Sequence, residues 1–260
     1  MSTIQPTKSL CYTQGMDAYI SQQNAADYQK FLNSESGKMQ REHILKAVRS
    51  RLKNDKEQTI LDAGCSSGWL AGALSSDFPR IKAFDGSPPL IDIAKKQFPH
   101  IPFLVAHLNK PLPYTENKFD VVLLSMVSQA LIDPNIGFTN VTKVLKQGGK
   151  LIFITANPYY ANPVASWKRG LKGFLLRQKP RLLVGEYNRM KNKKNRDYTW
   201  TNSLNTHFYT LSEQINYFLE LGLQLTYFYE FESSKDSENF NLNYQLYRYP
   251  LLLMLEFHKP

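Results

Sequence analysis

Short apolar runs alternate with helical stretches between residues 59 and 157, and this alternation constrains the fold more than any other feature. Runs such as "VVLLSM" and "LIFIT" are apolar on both faces, as strands covered by helices on both sides must be. Alternating strands and helices indicate a mostly parallel, doubly wound α/β sheet. The predicted strands are TILDAG (59–64), IKAFDGS (81–87), IPFLVAHLN (101–109), FDVVLLSM (119–126) and KLIFITAN (150–157).

The flanking regions extend this α/β pattern at both ends. Residues 16–53 have helical periodicity, and the helix over 136–146 is predicted to end at Gly148 and Gly149. A further helix over 211–223 has Ser212 as its predicted N-cap. The last two predicted strands, 223–232 and 244–257, have no helix between them. We therefore expect these two strands to pair antiparallel at one edge of the sheet.

The composition is that of an ordinary globular protein, with 42% hydrophobic and 21% charged residues. We find neither a signal peptide nor an apolar run of about 18 residues, so neither secretion nor a membrane span is expected. The two cysteines, Cys11 and Cys65, suggest no disulfide framework and no metal site. The sequence predicts a cytoplasmic protein without a metal cofactor.

The basic charge is concentrated in one segment, Ser166 to Arg196, which has eleven Lys or Arg and one acid, Glu186. Its net charge of +10 equals that of the whole chain. The segment predicts an amphipathic helix with four apolar residues on one face and basic residues beside them: Trp167, Leu171, Phe174 and Leu175, flanked by Lys168, Arg169, Lys172 and Arg177. Two interpretations stay open. The helix packs on the domain as a lid with solvated charges, or it meets an anionic or lipid-like acceptor, a membrane surface or an acidic partner.

Small residues follow the first predicted strand, in "LDAGCSSG" (61–68). Ligands of doubly wound sheets bind at the carboxyl ends of strands. Gly64 and Gly68 lie at such an end, where glycine tolerates positive φ and lets a ligand approach the bare backbone. Asp85 ends the second strand, where its carboxylate can accept hydrogen bonds from both hydroxyls of a ribose. These residues together predict a cofactor that contains a nucleoside.

Residues 58–155 resemble the class I S-adenosylmethionine-dependent methyltransferases of the small-molecule type. The resemblance is carried by "LDAGCSSG", "FDGSPPLIDIAKK" (84–96), "LNKPLPYTENKFDVVLLSM" (108–126) and "VLKQGGKLIF" (144–153). It implies a Rossmann-like seven-stranded sheet whose last strand is antiparallel. We assign 1–57 to an N-terminal helical cap, 58–157 plus 207–260 to the methyltransferase domain, and 158–206 to a basic lid insertion.

The resemblance also implies a cofactor, S-adenosylmethionine, and the residues that bind it. Gly64 and Gly68 would line its methionine and ribose, Asp85 would hold the ribose hydroxyls, and a residue of the N-terminal helices would close the pocket. The full predicted set is Tyr19, Asp62, Gly64, Cys65, Ser66, Gly68, Asp85, Gly86, Ser87, His107, Leu108, Ser125 and Met126.

Two positions depart from the family pattern. Ser66 replaces the middle glycine of a G-x-G-x-G turn, and His107 stands where similar sequences carry Asp before "LNKPLP". An aspartate accepts a hydrogen bond from the adenine amino group, which a neutral histidine can also do and a charged one cannot. Cofactor affinity could therefore depend on pH.

The acceptor is the least determined part of the prediction. Because methyl transfer from a sulfonium is an in-line displacement, it depends chiefly on alignment and needs a base only if the acceptor loses a proton. His207 and Tyr209 are the candidates for that catalytic role, with packing against the following helix as the alternative. "NPYY" (157–160) is interpreted as a turn into the lid. The leading hypothesis is methylation of a small molecule. An RNA methyltransferase that uses the basic segment, and a noncatalytic cofactor-binding scaffold, stay open as alternatives.

Overall fold

A computed structural model describes residues 21–131, 133–160, 166–168, 181–183, 197–201, 204–231 and 250–260. Its helices are α1 (Gln22–Asn33), α2 (Glu35–Arg51), α3 (Trp69–Leu74), α4 (Pro88–Gln97), α5 (Pro134–Val144) and α6 (Leu211–Glu220), with a 3-10 helix at Ser128–Ala130. Its strands are β1 (Ile60–Ala63), β2 (Ile81–Asp85), β3 (Phe103–Val105), β4 (Phe119–Ser125), β5 (Leu145–Ala156), β6 (Ser166–Lys168), β7 (Arg181–Leu183), β8 (Asp197–Thr201), β9 (Leu204–His207), β10 (Gln224–Glu230) and β11 (Leu252–His258).

Seven of these strands form one sheet, in the order β10-β11-β5-β4-β1-β2-β3. The pairs β1–β2, β1–β4, β2–β3 and β4–β5 are parallel, and β11 is antiparallel to both β5 and β10. The predicted seven-stranded sheet with an antiparallel last strand is therefore confirmed. This order places the carboxyl ends of β1, β2, β4 and β5 along one edge of the sheet.

Alternate residues of the central strands pack into two apolar cores, one on each face of the sheet. On one face Ile60 and Leu123 lie in a cluster that includes side chains from α2, α3 and α4. On the other face Leu61 and Val122 lie in a cluster that includes α5 and α6, where Phe138 stacks on Phe218 with 4.5 Å between ring centroids. The sheet is thus covered on both faces, as its apolar strands predicted.

Ion pairs fasten the opposite edge of the sheet, where the parallel strands begin. Arg51, at the end of α2, donates from Nε and Nη2 to the buried carboxylate of Glu256 on β11, at 2.9 and 3.2 Å. Lys150 on β5 reaches the same carboxylate at 3.3 Å. On β4, Asp120 accepts from the backbone of Thr59 at 2.8 Å and from Lys146 Nζ at 2.8 Å.

Several predicted boundaries are wrong, for local reasons. The helical region 16–53 is two helices within its described part, because Ser34 ends α1 and caps α2 by accepting from the Gly37 N–H. Thr210, rather than Ser212, is the N-cap of α6, in a capping box with Glu213. Gly148 and Gly149 do not end a helix. They lie in β5, where Gly148 has a φ of +72° and the pairing with β4 shifts register.

The described part of the basic segment also differs from the prediction. Ser166–Lys168 is a strand that pairs antiparallel with Arg181–Leu183, so the amphipathic helix predicted from Trp167 is wrong at its first turn. Trp167 and Lys168 lie in this strand, and the other residues predicted for the helix lie outside the described part of the chain. Among the helices described, none combines the length and hydropathy that a membrane crossing requires.

Candidate functional site

The turn after β1 is built by backbone hydrogen bonds to the end of β2. The N–H groups of Gly64 and Cys65 both donate to the carbonyl of Phe84, each at 2.9 Å. Gly64, Ser66 and Gly68 have φ values of +81°, +54° and +77°. The turn therefore needs the left-handed conformation at three of five successive positions, and serine adopts it only with strain.

The same glycines are also required by packing. A Cβ atom on Gly64 would lie 2.5 Å from Val127 Cγ2, and one on Gly68 would lie 2.6 Å from the Phe103 ring. Close packing thus explains part of the glycine requirement, beside any approach of a ligand. The predicted cofactor roles of Gly64, Gly68 and the buried Cys65 between them stay predictions.

Asp85 ends β2 beside this turn, and two backbone groups fix its carboxylate. Oδ2 accepts from the Ser66 N–H at 2.8 Å, and Oδ1 accepts from the Ser87 N–H at 2.9 Å. Each carboxylate oxygen has a second lone pair, so the side chain can accept two further hydrogen bonds. Two hydroxyls of a ribose would supply them. The structure thus places Asp85 at the carboxyl edge of the sheet, as predicted.

Asp62 lies on β1 below the turn and is only 1% exposed. Its carboxylate accepts from the backbone N–H of Ala71 in α3, whereas its Oδ2 atom has no hydrogen-bond partner among the described residues. The buried Ser66 Oγ is likewise without a partner there. Two buried oxygens without described partners, one in the turn and one directly below it, are unusual. Each lowers the stability of the folded protein by about 1–3 kcal/mol unless something binds it.

The loop after β3 brings His107 to the other side of Asp85. A Cβ on Gly86 would lie 2.9 Å from His107 Nδ1, so the ring packs against bare backbone. The charge of His107 acts to lower the pKa of Asp85. Leu108 is buried, and its carbonyl accepts from Asn140 Nδ2 at 2.7 Å. His107 and Gly86 are thus brought beside Asp85, and their contact with an adenine stays a prediction.

The end of β4 supplies the third part of the site. Ser125 is the last residue of β4, and Met126 follows with a φ of +57° while its N–H donates to the Ile154 carbonyl at 2.8 Å. Beyond them, the buried hydroxyls of Ser128 and Thr155 are hydrogen-bonded at 3.0 Å. This buried polar pair was not predicted, because serine and threonine are too common to stand out in a sequence.

The two catalytic candidates differ in their surroundings. Tyr209 is buried, and its hydroxyl donates to the Leu131 carbonyl, which ties the start of α6 to the segment after β4. His207 is half-buried at the end of β9, a strand that lies beside the 3-10 helix following β4. A structural contact therefore occupies the Tyr209 hydroxyl. Catalytic roles for both residues stay predictions, and Tyr19 lies outside the described residues.

The structure adds Arg41 to the candidate residues. Its guanidinium lies 5.9 Å from the ring centroid of Trp69, the residue after Gly68, and its Nε is buried without a partner among the described residues. A partly buried guanidinium beside the turn is suited to bind a carboxylate. Its sequence context, one arginine in a charged helix, gave no signal.

Asn157 and Glu230 form a second pair that the sequence did not predict. Asn157 is fully buried at the end of β5, and its Nδ2 donates to Glu230 Oε1 at 3.3 Å. Its Oδ1 accepts from the Tyr159 N–H at 3.1 Å, so "NPYY" begins with the turn that was predicted. The Asn157 amide is thereby occupied by contacts within the protein.

The fold and this edge of the sheet define a class of protein, and a comparison of families agrees. Residues 61–153 match the family described as "Methyltransferase domain". The matched residues are those that carried the predicted resemblance to class I S-adenosylmethionine-dependent methyltransferases. That resemblance is thereby confirmed, and it supports the predicted enzyme class and cofactor.

Two relatives each match less than half of this chain. Over 101 residues, 38% of this chain and 36% of the relative, the chain is 36% identical to the malonyl-[acyl-carrier protein] O-methyltransferase of Hahella chejuensis. Over 132 residues, 47% of this chain and 55% of the relative, it is 29% identical to the ubiquinone biosynthesis O-methyltransferase of Coxiella burnetii. The chain thus spans less than two thirds of the length of these relatives.

A solved structure matches more of the chain. An S-adenosylmethionine dependent methyltransferase from Mesorhizobium loti superposes with a TM-score of 0.64 at 20% identity, and covers 82% of this chain and 95% of its own. At such a low identity, the match shows a shared fold and nothing about function.

The residues around the turn fit the cofactor of this family. Asp85 has acceptor capacity for two hydroxyls, Arg41 offers a cation for a carboxylate, and the Asp62 and Ser66 oxygens lack partners among the described residues. S-Adenosylmethionine has ribose hydroxyls, a carboxylate and positive charge that correspond to these groups. The described residues contain no group of three or more His, Cys, Asp or Glu side chains that could hold a metal ion.

Proposed function

We propose that this protein transfers a methyl group from S-adenosylmethionine to a small-molecule acceptor. The observation that carries the proposal is the Asp85 carboxylate, held at 2.8 and 2.9 Å by the Ser66 and Ser87 N–H groups at the carboxyl edge of the sheet. Both hydrogen bonds leave acceptor capacity for a ribose. The turn that presents this carboxylate is part of the segment matched by the methyltransferase family.

The cofactor, when bound, supplies a methyl group already activated on sulfur, so the protein's task is chiefly alignment. Asp85 would fix the ribose, and Arg41 would bind the carboxylate of the methionine part. Ser125 and Met126, at the end of β4, would border the side from which the acceptor approaches. The hydrogen bond from the Met126 N–H to the Ile154 carbonyl helps to hold Met126 at its strained positive φ.

A hydroxyl acceptor would need a base, and we propose His207 for that role. Its ring is half-buried beside the 3-10 helix after β4, whereas the Tyr209 hydroxyl is already donated to Leu131. A neutral imidazole nitrogen accepts a proton near neutral pH. His207 would therefore act as general base, with Tyr209 positioning the segment that leads into α6.

The relatives and the charge of the chain together suggest the kind of acceptor. The matched relatives include enzymes named for malonyl-[acyl-carrier protein], demethylmenaquinone and ubiquinone biosynthesis. The segment 166–196 carries eleven basic residues and one acidic residue, and follows the carboxyl end of β5. We propose that the acceptor is an anionic or lipid-like small molecule, because the basic charge of this segment would favour such an acceptor.

Titration calorimetry with S-adenosylhomocysteine tests the cofactor site. Asp85→Ala removes two hydrogen bonds to a charged group, each worth about 1.5–3 kcal/mol, so the Kd should rise at least about 100-fold. Asp92→Ala is the matched control, because Asp92 is an exposed carboxylate on α4. Equal affinities of the two variants would remove Asp85 from the ribose site.

Turnover is tested separately, with S-adenosylmethionine carrying a labelled methyl group and small-molecule extracts as the acceptor pool. Appearance of label in an extracted small molecule supports the proposal. Label in RNA would instead support the RNA methyltransferase alternative. Tight binding without transfer to either pool would favour a noncatalytic scaffold.

A further inference from the structure

The buried carboxyl group of Asp62 has more acceptor capacity than the protein uses. It is 1% exposed, one oxygen is without a partner among the described residues, and the Ala71 N–H is its backbone donor. Asp62 pairs with Ala83 of β2, two residues before Asp85. Two carboxyl groups therefore lie on adjacent strands below one turn.

No described cation forms an ion pair with either carboxyl group. The titratable groups whose charges act on them are Asp85 on Asp62 and His107 on Asp85, while the Cys65 thiol lies within range of both carboxyls. Burial, opposed by the Ala71 hydrogen bond and assisted by the charge of Asp85, raises the pKa of Asp62 to about 7. Burial also raises the pKa of Asp85, opposed by its N–H donors and by His107.

We infer that Asp62 holds a proton in the free protein and releases it to solvent when the positive charge of the cofactor binds. This inference rests on the proposed function. The buried carboxylate that remains balances one positive charge of the ligand, so at most one proton leaves for each ligand molecule that binds. A neutral ligand in the same place gives Asp62 no reason to ionise, because a buried carboxylate without a counter-charge is unfavourable.

Calorimetry in two buffers of different ionisation enthalpy counts the protons released. With S-adenosylhomocysteine, which carries an ammonium group, we expect about 0.9 proton released at pH 6.0 and about 0.1 at pH 8.0. The Kd should accordingly rise by up to about tenfold for each pH unit below 7. Adenosine, which has the nucleoside without the charge, should release none.

The outcomes separate this inference from the proposed function. Binding of both S-adenosylmethionine and S-adenosylhomocysteine without proton release from either complex overturns the inference and leaves the cofactor site intact. A proton released equally by adenosine overturns it as well, since charge would then not be the cause. Failure of S-adenosylmethionine, S-adenosylhomocysteine and adenosine all to bind would overturn the proposed function itself. Release with S-adenosylmethionine alone supports the inference and identifies the sulfonium as the charge.

Two variants identify the group that titrates. Asp62→Asn keeps the shape and an acceptor for Ala71, and it should abolish proton release. His107→Asn should retain the release, because His107 acts on Asp85 rather than on Asp62. Release that persists in Asp62→Asn and disappears in His107→Asn would assign the proton to His107 and overturn the inference. If a variant does not fold, the proton counts of the unmodified protein with S-adenosylhomocysteine and with adenosine still test the inference.

Discussion

The acids at the two edges of the sheet have pKa values shifted in opposite directions. At the edge where the parallel strands begin, burial alone would raise the pKa of Glu256, but Arg51 and Lys150 outweigh it and hold that pKa below its usual value. Lys146 and Thr59 likewise outweigh burial and lower the pKa of Asp120. At the carboxyl edge, burial raises the pKa of both Asp62 and Asp85.

The difference lies in the partners rather than in burial. The side chain of Glu256 is 7% exposed, and that of Asp62 is similarly hidden, yet only Glu256 has cations within 4 Å among the described residues. Removing one partner of a buried ion pair is strongly destabilising. A buried acid without a cationic partner is instead typical of a functional site. The acids where the parallel strands begin are thus paired within the protein, whereas those at the carboxyl edge keep acceptor capacity for the proposed cofactor.

The largest effect should come from breaking the paired edge. Arg51→Ala removes two hydrogen bonds to Glu256 and the stacking of the guanidinium on Tyr227, whose ring centroid is 4.1 Å away. The free energy of unfolding should fall by about 3 kcal/mol, because a buried carboxylate loses its main partner. Urea unfolding at pH 7 measures it.

Arg49→Ala is the matched control on the same helix. Arg49 pairs with Asp77, but the two side chains are 47% and 51% exposed. Such exposed pairs contribute below about 1 kcal/mol. Equal losses in the two variants would show that the edge is not fastened by its buried pair.

The next effect comes from removing the unpaired charge at the carboxyl edge. The pKa of Asp62 in the folded protein, about 7, lies above its unfolded value, so the folded state binds more protons between pH 4 and 7 and loses stability as pH rises. Asp62→Asn avoids this loss. The variant should therefore gain about 2–3 kcal/mol on the unmodified protein between pH 5 and pH 8.

Urea unfolding of both proteins without cofactor, at pH 5 and pH 8, measures that gain. Glu256 should show the reverse dependence, because its lowered pKa gives stability that is lost as the pH falls into the acid range. An advantage of Asp62→Asn that is the same at both pH values would mean that Asp62 is ionised throughout.

The smallest effect concerns the turn itself. Ser66→Gly relieves a φ of +54° and removes a buried hydroxyl without a described partner, so the free energy of unfolding should rise by about 0.5–1 kcal/mol. Ser67→Gly is the control, because Ser67 has no positive φ and gains only flexibility. Thermal unfolding distinguishes the two, and a loss in Ser66→Gly would indicate that its hydroxyl is used.

The fold was predictable because its strongest signals are periodic. The apolar strands and the change to helical spacing predicted the sheet and the direction of its last strand. The boundaries that failed depend on competition between neighbouring caps. Thr210 takes the cap that Ser212 could have taken because Glu213 completes a capping box with it, and Gly148 serves a register shift instead of a helix end.

The positions of the candidate site residues were predictable where the fold needs a special backbone conformation or an acid at a strand end. Gly64, Gly68 and Asp85 met that condition, since small residues and an acid at strand ends stand out in sequence. Arg41, Asn157 and Glu230 did not, because their importance arises from contacts across distant parts of the chain. Tyr209 shows the reverse problem, since its hydroxyl is already engaged by Leu131.

The segment between β5 and α6 starts and returns at one edge of the sheet. It departs after Ala156, where Asn157 is tied to Glu230, and it returns at Tyr209, which is tied to Leu131. Both hydrogen bonds are made at the two ends of the segment, by Asn157 and Tyr209. A different segment could therefore be exchanged between these two anchors without altering strand register. The same scaffold would then acquire a new acceptor preference by modular replacement rather than by gradual remodelling of its core.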